Sequence, residues 1–320
     1  MTSSVDPELL APLEGFLSLF GGGLNLHDIP AVRGAMDQMN VMMAAQLPPF
    51  VGVTSEDRLV PGPAGAPDVA IRIYQPLVRP AILPALLWIH GGGYVLGSID
   101  GDDLSVKELV KGVECVVVSV EYRLAPEHPF PAPVEDCYAA LRWLAGHAAE
   151  LGVDPDRIAI GGASAGGGLA AGLALLARDR AEVKVAFQLL IYPMIDDRNL
   201  AQASDALADT LLWNRENNLI GWRSYLGDEP GGNNVSPYAA ASRATNLAGL
   251  PPAYIPVGAL DLFLNENIAY AQRLVEAGVP TEFHLYPGAY HGFDVFGATS
   301  AVGQRFTADR NQVLRRVLHG

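Results

Sequence analysis

The sequence predicts an α/β fold in which a mostly parallel sheet carries helices on both faces. Three observations lead there. From residue 69 onward, apolar runs of strand length alternate with longer helical patterns, the rhythm of repeated strand–helix–strand units. Two glycine-rich segments, at 90–93 and 162–167, each follow such a run directly. Half of the 320 residues are hydrophobic and only 18% are charged, enough apolar material for a large core.

The elements follow in order. Residues 7–48 read as helical, with Ile29, Val32, Met36, Met39 and Met43 recurring at three- and four-residue steps along one face. Four of the six methionines fall between 36 and 43. Methionine adapts to irregular shapes, so this face suits either ordinary core or a pliable wall over an apolar pocket. Residues 69–74 alternate like a half-exposed strand, whereas 85–89 and 115–120 are continuous apolar runs fit for buried strands. A helix is expected over 133–151, with Glu135 and Asp136 in its first turn complementing the helix dipole. Strand 157–161, a helix from Ala165 through Leu175 and strand 183–192 continue the alternation. Strand 253–258, helix 265–277 ended by Gly278, strand 281–286 and a helix over 301–318 complete it.

One stretch breaks the rhythm. Residues 196–248 hold polar and helical segments, including Leu211-Leu212-Trp213 and Ile220-Gly221-Trp222, then a Gly/Asn-rich loop at 227–236. An insertion of that length between strands usually carries function or a lid. Together with residues 1–50 it would cover the C-terminal edge of the sheet, where open α/β folds bind ligands. No internal repeat or low-complexity tract appears.

Charge narrows the function classes. A net charge of −14 disfavours nucleic acid and anionic membrane surfaces, both of which attract basic patches. No uncharged apolar run is long enough to span a bilayer, so no membrane insertion is expected. Cys115 lies in an apolar run and Cys137 on an expected helix, which suits buried thiols in a reducing compartment. The first residues, Met1 to Asp6, lack the basic start and apolar core of a signal peptide. The chain therefore reads as soluble and cytoplasmic. A metal centre is not expected, because no His-Glu-x-x-His or paired-cysteine spacing occurs.

Two motifs carry chemistry. Gly162-Ala163-Ser164-Ala165-Gly166 puts a serine between glycines where a strand gives way to a helix. A nucleophile on such a turn has strained backbone and needs neighbours without bulk, so that its Oγ stands clear of the sheet. His90-Gly91-Gly92-Gly93-Tyr94 follows the 85–89 run. Its glycines leave backbone N–H groups open to a substrate oxygen, as the oxyanion of a tetrahedral intermediate requires. A phosphate loop would place Lys-Ser/Thr after its glycines, and none follows here.

On these motifs the chain resembles the α/β-hydrolase fold and, within it, the bacterial hormone-sensitive-lipase-like carboxylesterases. The resembling residues are His90 to Gly93, the segment from Tyr122 to Ala132, Gly162 to Gly167, and His291-Gly292-Phe293, in the family's order from about residue 55 onward. The resemblance implies a mostly parallel eight-stranded sheet flanked by helices, with a helical cap. Residues 51–195 and 249–320 would form the catalytic domain; 1–50 and the inserted 196–248 would form the cap. In this fold the order is Ser, then Asp or Glu, then His. After Ser164 stand His284, within a strand, His319, next to last, and His291, in a loop just past strand 281–286 where the base belongs. Asp261 follows strand 253–258 and is the expected acid; Glu266 is the runner-up, more simply a charge on a helix N-terminus. Asp294 is too near His291 in sequence to be the usual partner, and Asp196 and Asp197 are expected to cap the insertion's first helix.

The resemblance agrees on Ser164, Asp261 and His291, and implies an oxyanion hole from the amides of Gly92, Gly93 and Ala165. Ala165 also follows from mechanism, because the residue after the nucleophile opens a helix whose N–H groups face the site. His90 is read as bonding within the glycine loop, and residues 122–132 as bracing it. The chain departs from the family at Ala163, where Asp or Thr is common. It departs again at Asp261-Leu262-Phe263-Leu264-Asn265, where Asp-Pro-Leu and a second Asp are frequent.

The expected function is a cofactor-free serine carboxylesterase acting on a small-molecule ester, with short to medium acyl chains favoured by the resemblance. Two alternatives stand beside it. One is a small-molecule-binding protein on the same fold, as in plant gibberellin receptors, which lack the histidine present here as His291. The other is a hydrolase of amide or carbamate bonds, since the tetrahedral chemistry is shared. A final sheet strand could pair across a homodimer.

Overall fold

The computed structural model describes residues 4–199 and 212–320. Leu211 and the first three residues therefore lie outside the described residues, as does the side chain of Met43. Eight strands form one sheet: β1 (Val53–Val60), β2 (Val69–Pro76), β3 (Leu83–Ile89), β4 (Val116–Glu121), β5 (Val153–Ala163), β6 (Phe187–Ile191), β7 (Ala253–Gly258) and β8 (Thr281–Tyr286). Their spatial order is β1-β2-β4-β3-β5-β6-β7-β8. β2 runs antiparallel to β1 and β4, and every other pairing is parallel.

Burial explains the sequence patterns. β3 is buried along its whole length, and its side chains alternate between two cores. Ala85, Leu87 and Ile89 join the core beneath α4 (Ala132–Gly146) and α6 (Ala165–Arg180). Leu86 and Trp88 join the core beneath α3 (Ile99–Val113) and α10 (Ala301–His319). A strand covered on both faces needs no polar positions, which is why 85–89 and 115–120 read as unbroken apolar runs. Cys115 and Cys137 are buried free thiols.

Several boundaries differ from expectation. The helix expected over 133–151 is two, α4 and α5 (Ala148–Leu151). Gly146 weakens the helix there, and the His147 ring turns back on Trp143, stacking on it at 4.6 Å with Nδ1 2.8 Å from its carbonyl oxygen. The strand expected over 183–192 is only Phe187–Ile191, whereas β5 and α6 run longer than expected. Seven strands match expected ones, β8 among them although its side chains are mostly half-buried; the eighth, β1, is mostly solvent-exposed.

The N-terminal region forms α1 (Pro7–Leu19), a single 3-10 turn (Leu26–Asp28) and α2 (Ile29–Gln46). Ile29 and Val32 are buried, while Met36 and Met39 are half-buried on the same face. Asn217, on α7 (Arg215–Leu226), ties this region to the insertion: its Nδ2 donates to Leu24 O at 3.0 Å. No described helix is long and apolar enough to cross a membrane.

Candidate active site

β5 and α6 meet at Ser164, whose backbone is held at φ 58°, ψ −122°. A non-glycine residue rarely occupies that region, and only over-determined surroundings keep it there. The surroundings are hydrogen bonds: Ser164 N donates to Ile191 O at 2.9 Å, and Ser164 O accepts from Gly168 N at 2.9 Å and Met194 N at 3.0 Å. Close packing completes them. A Cβ on Gly166 would stand 2.1 Å from Ile89 O and 2.4 Å from His90 O, so the turn sits directly against the end of β3.

β7 and β8 deliver two further groups. Asp261 follows β7 and His291 follows β8, and their loops are stitched by Ala259 N to Tyr286 O and Leu260 N to Ala289 O, both 2.9 Å. His291 Nε2 lies 3.0 Å from Ser164 Oγ, and His291 Nδ1 lies 2.8 Å from Asp261 Oδ2. The other carboxylate oxygen of Asp261 accepts from Phe263 N at 2.8 Å. All three residues are buried. The imidazole contacts two rings edge-to-face, Tyr192 at 4.6 Å and Phe263 at 5.1 Å. This arrangement can move a proton from the hydroxyl to an imidazole whose tautomer is fixed by a carboxylate.

The glycine loop after β3 lies beside Ser164. Gly92 (φ 117°) and Gly93 (φ 60°) turn it back, and Gly92 O accepts from Val95 N and Leu96 N. The amides of Gly92, Gly93 and Ala165 have no acceptor among the described residues. A Cβ on Gly93 would stand 2.1 Å from the Trp213 ring, so the insertion presses directly on this loop.

His90 Nδ1 is 2.8 Å from Gly91 O, and its ring stacks on Tyr122 at 4.2 Å. Tyr122 Oη donates to His90 O at 3.0 Å, and Arg123 holds Asp136 through its backbone N, Nε and guanidinium. Asp136 thus serves a tertiary ion pair rather than the helix dipole, and Glu135 pairs with Arg180. Arg33 on α2 was not visible in the sequence as a brace. It donates to Val95 O at 2.7 Å and Ala125 O at 2.8 Å, and pairs with Glu127. α1 braces the histidine loop in turn: Asp6 N donates to Gly288 O, and Tyr290 Oη to Leu9 O.

The remaining acidic residues fall elsewhere. Asp196 and Asp197 do not cap a described helix. Asp196 pairs with Arg198, and the fully buried Asp197 takes Arg243 and the Gly231 amide. Glu266 is buried as well. Its carboxylate accepts from Ile195 N, Asp196 N and Asn199 Nδ2, anchoring the start of the insertion on α8 (Leu264–Glu276). Burial pushes its carboxyl well above the usual range. Among the described residues no three His, Cys, Asp or Glu side chains converge as a metal site would require.

Comparison with known proteins places this geometry. A family model described as the alpha/beta hydrolase fold matches residues 86–295. Esterase LipI of Mycobacterium tuberculosis is 40% identical over 267 residues, 82% of each chain. The ethyl acetate hydrolase of Pseudomonas putida is 32% identical over 231 residues, 71% of this chain and 72% of that protein. Among solved structures, a bacterial heroin esterase superposes with a TM-score of 0.93 at 44% identity, covering 99% of both chains.

Proposed function

The chain belongs to the α/β-hydrolase family and is a carboxylic ester hydrolase, and from that premise we propose that Ser164, His291 and Asp261 are its catalytic triad. Ser164 Oγ attacks the ester carbonyl carbon while His291 Nε2 takes the hydroxyl proton. Asp261 keeps Nδ1 protonated and stabilises the imidazolium that forms. The amides of Gly92, Gly93 and Ala165 receive the oxyanion, each worth about 3 kcal/mol of barrier. His291 then protonates the departing alcohol, leaving an acyl-serine. Water, deprotonated by the same imidazole, attacks that acyl group, and the proton returns to Ser164 as the acid is released.

One observation carries the reading: a single imidazole stands 3.0 Å from Ser164 Oγ and 2.8 Å from the Asp261 carboxylate. Short to medium acyl chains are the preferred substrates. Trp213 standing against Gly93 supports this, because it narrows the space beside the oxyanion loop. Similarity to a protein named for ethyl acetate hydrolysis points the same way. The described parts of the two cap segments, residues 4–50 and 196–199 with 212–248, act as a cap over the site; Trp213 against Gly93 supports this.

The test is hydrolysis of p-nitrophenyl esters from acetate to palmitate, by wild type and Ser164→Ala. Short chains should be cleaved fastest, and the variant should lose about 10⁴-fold or more. Equal rates in the two proteins would remove Ser164 as nucleophile. A preference for palmitate would overturn the acyl-chain assignment.

A further inference from the structure

Tyr192 lies where strand, nucleophile and base meet. It follows Ile191, whose carbonyl receives the Ser164 amide, and its own N donates to Pro256 O at 2.8 Å on β7. Its φ of 34° is unusual for a residue with a side chain. The ring meets the His291 imidazole edge-to-face at 4.6 Å, and Tyr192 Oη donates to Asp294 Oδ1 at 2.7 Å. Asp294 opens the short helix α9 (Phe293–Phe296), three residues past His291. The histidine loop therefore reaches back, through a side-chain hydrogen bond, to the end of β6, the strand beside β5 whose Ile191 carbonyl holds the Ser164 amide.

We propose that Asp294 and Tyr192 are positioning residues, a paired strut that fixes the plane of the His291 ring and its distance from Ser164. The inference rests on the triad reading above. Asp261 anchors the imidazole at Nδ1 and leaves the ring able to swing about that bond. Phe263 and Tyr192 limit the swing by contact, and Asp294 locks the Tyr192 ring in place from its far end. Burial raises the Asp294 carboxyl, while the Tyr192 hydroxyl and the nearby Arg310 and His291 oppose that rise. Asp261 and Asp102 are the other carboxylates whose charge is felt at Tyr192. The Tyr192 hydroxyl, pushed well above its usual range by burial, stays a donor.

The test uses four variants of the full chain: Tyr192→Phe, Asp294→Ala, Asp294→Asn and the Tyr192→Phe/Asp294→Ala double variant. Initial rates on a short p-nitrophenyl ester are measured beside wild type and Ser164→Ala, with thermal melts. Tyr192→Phe keeps the ring contact and loses only the strut. A base displaced by a fraction of an ångström to one ångström costs up to about 10²-fold. Tyr192→Phe and Asp294→Ala should each lower kcat about tenfold or more with KM held. The double variant should fall no further than the worse single. Asp294→Asn, which keeps an acceptor oxygen, should recover most of the rate. Additive losses, an Asn variant no better than Ala, or losses in KM alone would overturn the strut. If wild type is inactive, or Ser164→Ala keeps its rate, the triad reading fails first and the strut falls with it. A dead Ser164→Ala beside fully active Tyr192→Phe and Asp294→Ala refutes the strut alone.

Discussion

His90 makes the fold acid-sensitive by an amount that follows from its surroundings. The ring stacks on Tyr122, its Nδ1 faces Gly91 O, and its buried Nε2 has no partner among the described residues. Protonation would place a charge at that second nitrogen with no water to solvate it, and burial lowers the imidazole to about 4 from an ordinary 6.5. The unfolded chain takes up this proton near 6.5 and the fold does not until about 4. Stability is therefore complete above the first value and is lost as pH falls toward the second. Between about pH 7 and about pH 5 the loss from this one group is about 2 kcal/mol. Four carboxyls among the described residues act with the opposite sign. Asp102 is raised to about 6, Glu266 well above its usual range, and Glu121 and Asp294 are raised by burial too, so each favours the fold as pH falls. A difference measurement separates them. Urea unfolding of wild type and His90→Gln across that range should show a slope larger in wild type by about that 2 kcal/mol, whatever the variant's absolute stability. Parallel slopes would refute the reasoning.

Two other perturbations have defined outcomes. Gly93→Ala would drive a Cβ to within 2.1 Å of the Trp213 ring at a φ of 60°; kcat on a short ester should fall about 10²-fold through the displaced amide, while circular dichroism stays native. Arg243→Met leaves the fully buried Asp197 carboxylate with, among the described residues, the Gly231 amide as its one hydrogen-bond partner; urea unfolding should show a loss of about 3 kcal/mol, and most of it should return in the Asp197→Leu/Arg243→Met double variant.

Residues whose partners are near in sequence, or whose role is set by local backbone, were the legible ones. The turn at Ser164 declares itself because only small neighbours pack against Ile89 O and His90 O. The loop at Asp261 declares itself by following β7, which is buried along its whole length; the loop at His291 follows β8, whose only buried side chain is Tyr286, and is marked instead by its place after the last strand pattern and Pro287-Gly288. β1 escaped because only Val60 is buried in it, so no apolar face marks its length. α3 escaped for a related reason, its apolar face being interrupted by Asp102 and Asp103 between Ile99 and Val106. Glu266 does stand in the first turn of α8, as expected, but local rules could not show what its carboxylate or that of Asp197 holds. Their partners, Arg243 and the 195–199 segment, lie far along the chain.

That the site's groups follow four strands, β3, β5, β7 and β8, also sets when in the life of the molecule it can exist. Ser164 emerges with β5 at mid-chain, but the imidazole arrives only after β8, which among the described residues is an edge strand paired with β7. A nascent or proteolysed chain that ends between residues 262 and 290 carries the glycine loop, Ser164 and Asp261 but lacks His291, the base of the proposed triad. Activity on this reading is a checkpoint for synthesis past His291: fragments stay silent, and hydrolysis begins only once the last strand has docked.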